Sequence, residues 1–264
     1  MALSDRESCA AGSSFELPAA FGRSRSFAQL ASSTDLRGEH PIANASIRGA
    51  ATPDGLFLAA SRIDAFAAFA GELASTTHGA SVRTELGVAQ ARRTVAASRL
   101  SLLHLVFAPA RDRPILLAIA RLRNRTAEPL LVRYSELWDV RGVSVTAADG
   151  VCVGETHGLW LGLADVSAVI RAQPPDPLPP DGLALDVPIV LPPREERQIY
   201  FAYACAEDQI ELASLVRAFR GDVPAELART VSLWSRGAHP DAIDAYRAAY
   251  ARGSSPSGRG TPDP

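Results

Sequence analysis

The sequence predicts an all-β fold, a large antiparallel β-sandwich of supersandwich type followed by two or three C-terminal helices. Three observations point there. Between residues 78 and 205, short apolar and β-branched runs recur at near-regular spacing between turn residues. Beyond residue 205 the apolar period lengthens to that of a helix. The 264 residues are enough for one large β domain with a proper core.

Residues 1–50 are rich in Ser, Ala, Gly and Arg and read as an irregular segment with one short strand at most. The sandwich is expected over 51–205. GLFLAASRI (55–63) reads as a strand, and DAFAAFAGELAS (64–75) as a short helix or an irregular segment pinned by Phe66 and Phe69. Ten strands follow: SVRTELGV, QARRTVAAS, SLLHLVFAP, PILLAIARLRN, PLLVRYSELWDV, GVCVGETH, LWLGLA, AVIRAQ, LALDVPIVL and ERQIYFAYA. The proline-rich QPPDPLPPDG (173–182) must leave the sheet or skirt its edge, because proline has no ladder donor.

Linker-type helices are expected over 206–252. EDQIELASLVRAFRG carries Ile210, Leu212, Leu215, Val216 and Phe219 on one face and stops at Gly221. PAELARTVSLWSRG opens with Pro224 and places Leu227, Val231 and Trp234 at offsets of four and seven. PDAIDAYRAAYARG carries Ile243, Tyr246 and Tyr250, and the tail 253–264 has the composition of a disordered end.

Composition removes several functions. With 47% hydrophobic and 21% charged residues the chain reads as soluble and globular, and a net charge of −2 gives no reason to expect nucleic-acid or membrane partners. There is no lysine, so Schiff-base and P-loop chemistry are excluded. The three cysteines are far apart and form no zinc spacing or disulfide framework. No secretory signal opens the chain and no long uncharged apolar run crosses a membrane, so a cytoplasmic location is expected. The five isolated histidines, with no HExxH, GxSxG or GxGxxG, lead us to expect neither metal nor cofactor.

Two places carry candidate site residues. In PLLVRYSELWDV, alternation puts Leu130, Val132, Tyr134, Glu136 and Trp138 on one face. A glutamate there is costly unless paired. It stands beside aromatic surface as in sugar-handling sites, reaches solvent with Trp138 at the sandwich rim, or sits centrally against Arg121 or Arg123. In GETHGLW, Glu155 and His157 share a strand face with Trp160 close behind, the best acid/base-plus-aromatic cluster in the chain. His104, inside SLLHLVFAP, reads as a hydrogen-bonded core histidine rather than a ligand. Arg92, Arg93, Arg121, Arg123 and Arg125 read as solvent-facing strand residues, and Asn124-Arg125-Thr126 as a turn.

Three segments resemble a known pattern. PILLAIARLRNRTAEPLLVRYSELWDV is similar to the strand–Asn–turn–strand hairpin in the N-terminal β-sandwich of cellobiose phosphorylase and cyclic β-glucan synthase relatives. LPPREERQIYFAYACAEDQIELASLVRAFRG resembles that family's last strand and first linker helix, and ELARTVSLWSRG the helix leading to its catalytic barrel. The resemblance covers roughly residues 80–236 and implies a galactose-mutarotase-like sandwich without the (α/α)6 barrel that holds the catalytic acid. No residue here inherits a catalytic role. What is implied is a noncatalytic carbohydrate-associated module that binds a saccharide, or packs on a separate catalytic-barrel protein or on a second copy of itself. The alternatives are an aldose epimerase or lyase using Glu155 and His157, or a structural oligomerisation module using its C-terminal helices.

Overall fold

The computed structural model describes residues 40–235, except 45, 53–54, 59–60, 70–71, 75–80, 88–89, 97–98, 112, 141–142, 149, 157 and 180–181. The expected third helix, the disordered tail and Cys9 lie outside the described residues, as do the side chains of Arg92, Arg93 and Trp234.

Two antiparallel sheets face each other. The first joins β1 (His40–Ala43), β2 (Arg48–Thr52), β3 (Gly55–Leu58), β4 (Ser61–Phe69), β10 (Leu130–Asp139) and β14 (Gly182–Leu191) in that order, with β5 (Glu72–Ala74) also pairing β4. The second runs β11 (Ser144–Ala148), β12 (Val151–Thr156), β13 (Leu159–Asp165), β15 (Glu196–Ala206), β9 (Ile115–Asn124), β8 (Leu100–Phe107), β7 (Gln90–Ala96), β6 (Ser81–Gly87). Helices α1 (Gln209–Phe219) and α2 (Val223–Ser235) follow the last strand. The expected sandwich with C-terminal helices is the fold that forms.

The second sheet is covered on both faces, which explains the near-continuous apolar run of β9. Leu116, Ala118, Ala120 and Leu122 point into the inter-sheet core, while Ile115, Leu117 and Ile119 point at the helices. A buried Leu or Ile contributes about 1.5–3 kcal/mol, so this strand anchors both layers. Leu212, Leu215, Val216 and Phe219 form the buried stripe of α1, whose N-cap Asp208 accepts the Glu211 N–H at 2.7 Å. Gly162 lets the helix sit close: a Cβ there would stand 3.0 Å from Leu212. No helix among the described residues is long and apolar enough to cross a membrane.

Several local expectations are corrected. Of DAFAAFAGELAS, residues 64–69 belong to β4 and 72–74 form β5, because Ile63, Ala65 and Ala67 alternate into the core and outweigh alanine's helical preference. Two strands already begin ahead of residue 51, β1 ending at Ala43 and β2 running on to Thr52. AVIRAQ is not a strand: the buried Asp165 carboxylate accepts the N–H groups of Ser167, Arg171 and Ala172 at 2.9, 2.8 and 3.0 Å and folds the chain into a loop. SVTAA, too polar to stand out, is β11. Ile210 is 84% exposed and off the buried stripe of α1. Gln173 forms a backbone bridge with Asp186, so the proline-rich segment starts against the edge strand β14.

Candidate functional site

The polar residues singled out in the sequence fall in two separate places. Glu136, on β10, is 0% exposed and lies centrally between the sheets. Its partner is neither Arg121 nor Arg123, and the strand is not at a rim. His104 Nε2 on β8 donates to Glu136 Oε1 at 2.7 Å, and the hydroxyls of Tyr203 on β15 and Tyr134 on β10 donate to Oε1 and Oε2. Small residues on β9, Ala118 and Ala120, lie on the inner face between His104 and Tyr203, where larger side chains would compete with the carboxylate for space. The phenol rings are fixed in turn. Tyr134 packs against Phe201 at 5.8 Å, and Tyr203 meets Trp138 edge-on at 5.7 Å.

His104 is therefore the bonded core histidine its sequence context suggests. Arg121, expected in solvent, is buried and sits 3.9 Å from Glu196. Trp138 is 1% exposed, which leaves no surface for a ligand. Its Nε1 has no hydrogen-bond partner among the described residues, a cost of about 1–3 kcal/mol that burial of the large ring offsets. The signal that could have found the cluster in the sequence is complementarity: polar groups interrupt the inward-facing apolar stripes of three strands, Tyr134 and Glu136 on β10, His104 on β8 and Tyr203 on β15.

Burial, and then the Glu136 carboxylate beside them, push the Tyr134 and Tyr203 phenols well above the ordinary value. Both hold their protons more tightly folded than unfolded. Stability is therefore complete below the unfolded phenol value, about pH 10, and falls as pH rises beyond it. Cys205, pushed up to about 11 by burial, contributes with the same sign. Urea midpoints are expected to decline as pH rises above about 10, and the decline there to be shallower in Tyr203→Phe. An unchanged slope in that variant would contradict the assignment.

The second place is the β12–β13 hairpin. Register sets Glu155 directly across from Trp160. Glu155 is exposed, and Trp160 is half-buried with one side against the apolar layer beneath the helices. Beyond the Thr156–Leu159 pair, Gly158 stands at φ 76°, the positive value that tight hairpin turns need. His157 lies outside the described residues, so the hairpin brings Glu155 and Trp160 together and leaves the histidine's place undescribed.

The same outer face carries a groove of about 420 Å³ between the β11–β12 hairpin and α1. Thr146, Val151 and Val153 form one wall and Leu212 and Val216 the other, with Arg217 and Arg220 at the edge. Alternation places Glu155 on the face of Val151 and Val153, two residues further along β12. Among the described residues no three His, Cys, Asp or Glu side chains gather as a metal site.

No family model matches the sequence, and no curated protein matches it. Solved structures that resemble the fold include a protein assigned as a kojibiose phosphorylase from the human microbiome, at TM-score 0.45 and 9% identity. That likeness covers 80% of this chain and 35% of the other. A polysaccharide lyase, BACCELL_00875, gives TM-score 0.39 and 10% identity over 58% of this chain and 26% of its own. A protein assigned as an aldose 1-epimerase from Escherichia coli K12 gives TM-score 0.44 and 8% identity, over 64% of this chain and 98% of its own. The chain thus spans about a third of the phosphorylase and about a quarter of the lyase. At such scores and identities no activity or substrate transfers from them.

Proposed function

We propose that the chain is a noncatalytic carbohydrate-associated β-sandwich module that binds a saccharide at the Glu155–Trp160 edge of its second sheet. The observation that carries this reading is the cross-strand pairing of an exposed carboxylate with a half-buried indole. An aromatic face accepts the apolar face of a sugar ring, and a neighbouring carboxylate accepts its hydroxyls, so one hairpin offers both halves of a sugar contact. The acid–base cluster of the core takes no part, because Glu136 is consumed by the bonds that join the two sheets.

The test is an oligosaccharide titration followed by tryptophan fluorescence, run beside a mutarotation assay. The wild type should show a saturable change. Trp160→Phe should abolish it, and Glu155→Gln should weaken binding by roughly tenfold, the worth of a charge-assisted hydrogen bond. A response that persists in Trp160→Phe would remove this site. Mutarotation that slows in Glu155→Gln or His157→Ala would replace binding by catalysis at the same hairpin.

A further inference from the structure

The groove beside α1 has a chemistry that the Glu155–Trp160 edge lacks. Its volume, about 420 Å³, falls within the range of small-molecule sites, about 300–1,000 Å³. The walls are built rather than incidental. The Asp165 carboxylate that gathers three backbone N–H groups sets the loop carrying Ile170, one of the lining residues. Gly150, at φ 75°, runs so close beneath that a Cβ would stand 2.3 Å from Ile170 Cγ2. On the opposite side Leu212 and Val216 belong to the buried stripe of α1, which fixes their position.

The charge of the groove is one-sided. None of its lining residues is acidic, in a chain whose net charge is −2. Arg217 and Arg220 are exposed at its edge, and neither has a carboxylate partner among the described residues. They flank the C-terminal end of α1, where the helix dipole offers only about half a negative charge against two guanidinium groups. The local balance therefore favours an anion.

We propose that this groove binds a small anionic amphiphile, an apolar body ending in a carboxylate or a phosphate. The body lies against Val153, Leu212 and Val216, and the head group is held by Arg217 and Arg220, whose planar forks suit either oxyanion. This site stands independently of the saccharide reading, since a neutral sugar has neither the apolar body nor the charge.

Calorimetric titration of the full chain with octanoate, octyl phosphate and the neutral octyl glucoside tests it. Both anions should bind at one site, and octyl glucoside at least about tenfold more weakly. The exposed double change Arg217→Gln with Arg220→Gln should bring the anions down to the level of the glucoside, and added salt should weaken them in the wild type only. Ala213→Trp, which fills the groove from an exposed helix position, should abolish binding without shifting the thermal midpoint. The tighter of the two anions identifies the head group. Octyl glucoside binding as tightly as octanoate, or full affinity in the double-glutamine variant, would overturn the proposal. Trp160→Phe should leave octanoate binding unchanged, so the two sites fail separately.

Discussion

Replacing Glu136 by alanine is expected to cost at least about 4 kcal/mol, a large part of the roughly 5–15 kcal/mol that holds a domain of ordinary stability together. The substitution strands three donors at once: the His104 ring N–H and the hydroxyls of Tyr134 and Tyr203. Each buried donor left without an acceptor costs about 1–3 kcal/mol, and the missing carboxyethyl group adds a cavity between the sheets. Glu136→Gln should be much milder, about 1–2 kcal/mol. It keeps one oxygen as an acceptor, and the facing tyrosine hydroxyl can turn to accept from the new amide. Urea unfolding of the two variants checks the ordering. Equal losses would contradict this account, because the amide fills the same volume and keeps one acceptor oxygen yet would then recover none of the stability.

The second large effect is expected at Asn124, the buried residue at the end of β9. Its Nδ2 donates to the carbonyls of Glu128, Leu191 and Pro192 at 2.7, 3.1 and 3.0 Å, and its Oδ1 accepts the Thr126 N–H and hydroxyl, each at 2.8 Å. One side chain thus ties the β9–β10 turn to the turn between β14 and β15, and so one sheet to the other. Asn124→Ala removes all five of these bonds, for about 3 kcal/mol, although the Glu128 carbonyl keeps the Thr126 hydroxyl and the Pro192 carbonyl keeps the Glu195 N–H. Asn124→Asp is expected to be worse, although it differs by one group, because it sets a carboxylate oxygen against the three carbonyl oxygens. Uncompensated burial of that charge adds several kcal/mol. Thermal melts should rank wild type, Asn124→Ala and Asn124→Asp in falling order, and an aspartate variant as stable as the alanine one would contradict the network.

Much of the fold was legible because alternation is a strong local signal wherever one face of a strand is buried. It failed where a tertiary contact decides the outcome. DAFAAFAGELAS has helical composition but pairs with β10, a partner some seventy residues away that no local pattern announces. AVIRAQ has strand composition but is bent by a carboxylate ahead of it in the chain. The site residues divide in the same way. The pairing of Glu155 with Trp160 follows from a tight hairpin, a local matter. Two of the three partners of Glu136, His104 and Tyr203, come from β8 and β15, elements remote in sequence, and reasoning from nearest neighbours pointed to arginines instead. The groove beside α1 was invisible for a similar reason, since its two walls lie about sixty residues apart and meet only when the helix docks.

The idea most in need of a direct check is that the Glu136–His104–Tyr134–Tyr203 cluster joins the two sheets and is sealed from solvent. Nitrogen-resolved NMR of the His104 ring N–H addresses it. The resonance should exchange with water only as slowly as global unfolding allows, and should not move on addition of sugars that quench Trp160. Rapid exchange at His104, or a shift of its resonance when saccharide binds, would mean that the cluster is an open site and that the ligand surface has been put on the wrong face of the second sheet.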